Sequence, residues 1–364
     1  MIFGLTYIQN HGVYRLHDAL DHFIRTGCDQ NAFGASCFPV WFGPVFRGCP
    51  KLKDLSKKLW TNLKASAQDL NSVRAMWNCL CNVETLCCDC SQSLVFDQLS
   101  EGTTTAIRNL FDYLYEVCLG VKCCKTTCGD IAAHYAQFVK ECATICPFCG
   151  LEAYRDLDCG YRAAYDHYLC RSRYPLLAVC FRNLVPICRD CNEPPQKGSK
   201  DLLLRDGGGR RKAYYPFGQV GGVTVSMKWT AKPSLGAPGK CELSICPKVP
   251  GESVQVDTWI TVYRIKERAS ARIQGKHDTW LKSLLWNRFH TKPTVAHLRT
   301  FFRAAASRFS DAAVVRSEAE ALYKHGLCLY LANEASDAEL EGIASIATGK
   351  AVNVPISVGE RATQ

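Results

Sequence analysis

Two Cys-x2-Cys pairs, Cys146/Cys149 and Cys188/Cys191, stand 38 residues apart and enclose Asp166, His167 and Asn183, with Asn192 directly after the last cysteine. Two such knuckles are the usual way to bring four thiolates to one tetrahedral zinc, because each tight turn aims two sulfurs at one centre. The separation is longer than a simple zinc ribbon needs, so the metal is expected to clamp the two ends of an inserted unit. Within that unit, a histidine beside a carboxylate is a general base if water and a phosphate can reach it. Alone, such a dipeptide is far more often a surface or core pair. The context adds weight: Asn183 is expected where the next strand turns back, and Asn192 at the start of a helix opposite Asp166. There the side-chain oxygens of Asp166 and Asn192 could share one hard divalent cation.

The elements around this constellation read as follows. Residues 1–50 are rich in Gly, Cys and aromatics without a clean period and are expected to be irregular. From Asp54, the spacing of Leu55, Leu59, Leu63, Val73, Met76 and Trp77 predicts amphipathic helix, as does 106–120 with Ile107, Leu110, Phe111 and Leu114. Asp130 is a predicted N-cap for a helix that delivers the chain to Cys146. Alternating runs at 223–229 and 241–246 predict strands, and 258–273, 279–289 and 295–309 predict helices. Their aromatics, Trp259, Tyr263, Trp280, Trp286, Phe289, Phe301 and Phe302, are expected to be mostly core, and His290 and His297 to be structural or surface residues.

The 364 residues can bury a core without disulfide staples, and the 23 cysteines come without a secretory signal at the start of the chain, so a reducing, cytoplasmic setting is expected. No apolar run reaches the roughly 18 residues of a membrane span. The net charge of +10 is moderate, but ten Lys or Arg stand against four Asp or Glu between Arg171 and Lys212, the footprint of a phosphate-backbone partner. Arg171, Arg173, Arg189, Lys200, Arg210, Arg211 and Lys212 are the candidate nucleic-acid contacts. A second basic stretch, Arg264 to Arg308, can equally be the solvated face of helices. The group CLCNVETLCCDC (79–90) raises a second metal, with Cys87 and Cys90 as one pair and Cys124 and Cys128 as a looser one; packing of small apolar thiols explains it equally well.

CPFCG, DHYL, YPLLAV, NLVPICRDCN and KGSKD, in that order between Cys146 and Asp201, resemble the HNH nuclease family in its branch braced by a four-Cys zinc. The following GGGRRKAYYPFG is similar to what comes after the core in HNH proteins of bacterial defence islands. Together with the periodicities on either side, which predict mainly helical N- and C-terminal regions and a small β-sheet after the core, the zinc-braced ββα-metal (HNH) core that the resemblance implies gives an expected α+β chain. The expected parts are a Cys-rich helical domain (1–143), the core (144–205), a basic loop and hairpin (206–250) and a basic helical domain (251–364). Carried over by position, His167 would be the general base, Asp166 a ligand of the catalytic cation, and Asn183 the residue that orients the His167 ring. Asn192 stands where the family often has histidine, the HNN form, and this favours Mg2+ or Mn2+ there. Lys197 would touch the scissile or an adjacent phosphate.

The expected function is hydrolysis of DNA phosphodiester bonds to 5′-phosphate and 3′-hydroxyl ends, by nicking as a monomer, in antiviral defence. A homodimer and an ATPase or another defence-system protein are candidate partners, though the chain itself has no G-x4-G-K-[ST] phosphate loop. The alternatives are a nucleic-acid-binding or effector subunit with a silent HNH fold, and an RNA-cleaving HNH nuclease.

Overall fold

The computed structural model describes residues 1–89, 98–154, 163–205, 207–232, 239–286 and 288–347; Cys90 lies outside them. The chain divides into two compact units. The first comprises residues 1–224, 246–265 and 316–319, and the second 225–245, 266–315 and the chain from Glu320 onward. The N-terminal helices and the segment between the Cys pairs thus share one unit. The architecture is α+β: helix predominates, with two small antiparallel sheets.

In the first unit, α1 (Arg15–Arg25), α2 (Gly43–Gly48), α3 (Pro50–Ala65), α4 (Ala67–Leu80), α5 (Val83–Cys88), α6 (Glu101–Glu116), α7 (Lys122–Cys128) and α8 (Ile131–Glu141) precede the knuckles. The expectation of irregular structure before residue 50 is corrected by α1. That helix buries Leu16, Ala19, Leu20, Phe23 and Ile24 on one face, a helical period concealed by the aromatic turns that follow it. Phe23 stacks on Phe38 at 5.0 Å, so those turns also form core. The predicted Asp130 cap is present, its Oδ1 accepting from Ala132 N at 2.9 Å. Helix α6 buries Ala106, Ile107, Leu110, Phe111 and Leu114 and packs along α3.

Between the knuckles, β1 (Ala164–His167) pairs antiparallel with β2 (Leu184–Ile187), placing Asp166 opposite Val185 and His167 opposite Leu184. The short helix α9 (Arg189–Asn192) follows. Helix α10 (Ser253–Tyr263) closes this unit, and its Trp259 Nε1 donates to Phe148 O in the first knuckle at 2.6 Å. The helix expected to run 258–273 is interrupted: Arg264 takes the left-handed conformation (φ 51°), which caps α10 before the next helix begins.

In the hairpin, β3 (Val223–Ala231) and β4 (Lys240–Pro247) alternate buried and exposed residues as predicted, with Val225, Met227, Leu243 and Ile245 inward. Four further helices, α11 (Ile265–Leu285), α12 (Val295–Ser310), α14 (Ala321–Asn333) and α15 (Asp337–Ala347), with the short α13 (Ala312–Ser317), follow among the described residues. Helix α11 joins two predicted helices into one of 21 residues. Helix α14 packs against α12 and is buried nearly all round. In the second unit Glu320, a non-glycine residue at φ 69°, accepts from Arg272 (2.6 Å), Lys276 (3.1 Å) and Trp280 Nε1 (2.9 Å). Trp286, expected in the core, is 60% exposed. Among the described residues no helix is long and apolar enough to cross a membrane.

Candidate functional site

The four predicted thiols converge. Cys146, Cys149, Cys188 and Cys191 are buried, and their sulfurs all lie within 4.8 Å of one another. The first knuckle is shaped by Gly150 N donating to Cys146 O (2.8 Å), with Gly150 itself at φ 63°, and by Leu151 N donating to Cys149 Sγ (3.4 Å). In the second, Cys191 N and Asn192 N both reach Cys188 O at 3.2 Å. Burial pushes the Cys146 and Cys191 thiols well above the ordinary range, so four thiolates in this pocket require a cation to balance them. A buried all-sulfur set of four is the donor chemistry of a structural zinc, and this group could hold one.

Strand β2 runs directly into Cys188 of the four-thiol group, and its pairing with β1 fixes Asp166 and His167. A cleft of about 540 Å³ opens beside it, lined by Asp166, His167, Arg171, Asn192 and Lys197 together with Arg108, Asp112 and Tyr115. His167 Nε2 lies 3.0 Å from the carbonyl oxygen of Ala178. A carbonyl only accepts, so Nε2 carries the proton and Nδ1 keeps the lone pair. Burial lowers the His167 pKa to about 4, against the bond to Ala178, which raises it; the imidazole is neutral near pH 7. The Tyr115 ring packs edge-on to His167 at 4.3 Å between centroids.

Asp166 is 4% exposed. Its Oδ1 accepts from Lys197 Nζ at 2.7 Å, while Oδ2 is buried with no hydrogen-bond partner. Burial raises the Asp166 pKa, and Lys197 pulls the other way. That orphaned oxygen, in a cleft also lined by Asn192, fits a hard cation: it is an acceptor already taken out of water and still unsatisfied.

Two expected roles are corrected. Asn183 was expected to orient the His167 ring; its amide instead spans the insert, Oδ1 accepting from Leu169 N (2.8 Å) and Nδ2 donating to Leu169 O (3.1 Å). With Asn183 fully buried, only an amide can satisfy both backbone groups of Leu169 at once, and the His167 ring is held by Ala178 and Tyr115. Lys197 was expected to reach a phosphate; it is 1% exposed and divides its donors between Asp166 and His167 O (2.6 Å). The loop after α9 turns it inward: Lys197 N bonds Cys191 O, Gly198 N bonds Asn192 O, and Gly198 sits at φ 45°.

The basic residues split by environment. Arg171 pairs with Asp112 (3.2 Å) and Glu116 (2.8 Å), and Arg189 with Glu193 (2.8 Å). Arg210 reaches the carbonyls of Leu86 and Asp89, and Arg211 those of Asp201 and Leu202, so their expected role in gripping nucleic acid competes with holding loops together. Lys200 donates to Pro195 O (2.7 Å); Arg173 and Lys212 are exposed.

The α6 wall of the cleft was missed from sequence. Its signal is the placement of Arg108, Asp112 and Tyr115 at i, i+4 and i+7, one face of the helix opposite its apolar stripe. Among the described residues, Cys124 and Cys128 neighbour Cys118, Cys49 and Cys123, while Cys87 is fully buried near Arg210.

Over 59 residues the chain is 39% identical to "Protein ea31" of Escherichia phage lambda, a stretch that makes up 16% of this chain and 18% of the phage protein. The likeness therefore spans less than a fifth of that relative's length. No family model and no solved structure matches the chain.

Proposed function

We propose that the chain is an HNH-type, metal-dependent endonuclease that hydrolyses phosphodiester bonds of DNA. The observation that carries this reading is the cleft itself. A neutral histidine with a free Nδ1 stands next to a buried carboxylate that has one unsatisfied oxygen, on a hairpin whose second strand runs into a group of four thiols.

His167 Nδ1 accepts a proton from the attacking water; Ala178 holds the opposite nitrogen, so the ring neither rotates nor changes tautomer during the transfer. Asp166 Oδ2 and Asn192 are the residues that would hold Mg2+ or Mn2+, which when bound supplies positive charge for the oxygens that become negative as the phosphodiester opens. Lys197 stays on Asp166 Oδ1 and sets the carboxylate's orientation. Arg108, an exposed cation at the same cleft, is suited to hold the polymer backbone. One such centre cuts one strand, so a monomer nicks and double-strand cleavage needs a homodimer or a second event. Cytoplasmic residence belongs to the same reading and is supported by the four-thiol group, since a reducing compartment favours metal thiolates over disulfides. A role in antiviral defence, with an ATPase or other defence-system partner, extends it; absence of protection in phage-challenged cells carrying the protein with its native neighbours would count against that extension.

The Lys197–Asp166 pair also favours a second reading, a nucleic-acid-binding subunit whose HNH fold is silent, because the ammonium already neutralises the carboxylate. The test is purified protein on supercoiled plasmid with Mg2+, with Mn2+ and with EDTA, wild type beside His167→Ala, and an RNA substrate in parallel. Open circles from the wild type alone, abolished by EDTA, support the nuclease. Tight DNA binding without cutting by either protein supports the silent fold, and cleavage confined to RNA reassigns the substrate.

A further inference from the structure

Away from the cleft, five cysteines of the first unit come together where the chain enters α3 and along α7. Cys118, Cys124 and Cys128 are fully buried and Cys49 is 2% exposed, whereas Cys123 is half-buried. The Sγ atoms of Cys49 and Cys123 stand 3.4 Å apart. Cys49 also meets Cys118, which meets Cys124, which meets Cys128. Unlike the Cys146 group, these five do not crowd around one point, and a chain of thiols is a poor cage for a single cation. The arrangement has a different use, because it places one reachable thiol directly beside a buried one. Gly48 makes room for the pair: a Cβ there would lie 2.8 Å from Cys123 Sγ.

We propose that Cys123 and Cys49 form a dithiol that a low-molecular-weight disulfide, such as oxidised glutathione, converts reversibly into a protein disulfide. Cys123, the reachable member, attacks as thiolate, breaking the small molecule's S–S bond; one small thiolate leaves and a mixed disulfide remains on Cys123. Cys49 then loses its proton and attacks the Cys123 sulfur, forming the Cys49–Cys123 bond and expelling the second small thiol. Two protein thiols are oxidised, one small disulfide is reduced to two thiols, and the two protons pass to the departing thiolates or to solvent. From 3.4 Å the sulfurs must approach by only about 1.4 Å to reach bonding distance. Burial pushes the Cys49 thiol up to about 12, so the second step is slow at neutral pH and quickens as pH rises. The bond would tie the start of α3 to α7.

The experiment treats the full-length protein with oxidised glutathione, blocks remaining thiols by alkylation and analyses a digest without reduction by mass spectrometry. The expected result is a cross-link between the segments carrying Cys49 and Cys123, reversed by dithiothreitol, abolished in Cys123→Ser and retained in Cys124→Ser. In Cys49→Ser the expected species is glutathione held on Cys123. The wild-type measurement does not depend on any variant folding. No cross-link while Cys123 stays open to alkylation, or a cross-link that survives Cys123→Ser, overturns the proposal. Neither result bears on phosphodiester cleavage.

Discussion

Lys197 Nζ lies 2.7 Å from Asp166 Oδ1, and both side chains are 5% exposed or less. A buried ion pair is a weak source of net stability when intact, but removing one partner strands the other charge where water cannot reach it. Lys197→Met therefore lowers the unfolding free energy by about 3 kcal/mol or more. Urea titration of the purified variant measures this; a loss near zero means that Asp166 is already protonated in the native state.

Asn183→Ala tests the corrected role of that residue. Leu169 N and O both lose their partner inside the insert, at a cost of roughly 2 to 4 kcal/mol for two buried groups. Amide exchange at Leu169 accelerates sharply. Because Asn183 bonds Leu169 and Ala178 holds the ring, the pH dependence of the proposed cleavage, in whatever variant folds, stays that of the wild type.

Removing a metal held by the Cys146 group should loosen β2, which runs directly into Cys188. One zinc per chain is expected from this group, lost on acidification as protons compete for the thiolates. Trp259 reports it, since its indole donates to Phe148 O between Cys146 and Cys149. Chelation shifts the tryptophan fluorescence in parallel with zinc release, and Cys188→Ser abolishes both signals.

Glu320 gives the second unit a pH dependence of its own. Burial would raise its pKa, but the hydrogen bonds from Arg272 and Lys276 outweigh burial and hold it below the usual 4.5. A depressed folded-state value means stability that is fully present above the unfolded-state pKa and is lost as pH falls through the lower folded-state value. Glu320→Gln should flatten the stability profile of this unit below about pH 4.5, measured by thermal unfolding across acid pH. An unchanged acid slope would assign the dependence to other carboxylates.

Arg108→Ala probes the α6 wall. Loss of an exposed backbone contact should weaken DNA binding severalfold and reduce its salt dependence by about one ion, with little effect on folding. Equal binding at every salt concentration would remove Arg108 from the interface.

The thiol clamp and the hairpin carrying Asp166 and His167 were legible because their signals are local: two-residue gaps in a knuckle and a dipeptide at a strand end. Lys197 and Asn183 were not, because each is defined by where a loop closes. Gly198 at φ 45° turns Lys197 inward, and the span from Leu169 to Asn183 depends on how fourteen residues of insert fold back. Helix α6 showed its buried stripe clearly, yet nothing local says which element its other face meets. Helix α1 was obscured by the aromatic turns around it, although its own period is clean.

Two hydrogen bonds into β1 have a practical meaning for anyone who would trim this chain. Tyr115 OH donates to Tyr165 O at 3.0 Å, and His134 Nδ1 meets Tyr165 OH at 2.6 Å, so α6 and α8 hold the strand next to Asp166. The stretch between the cysteine pairs is therefore no portable cassette. Excised from the residues before it, it would expose the strand that carries Asp166 and His167, and a fragment beginning at residue 144 should be insoluble even when supplied with zinc.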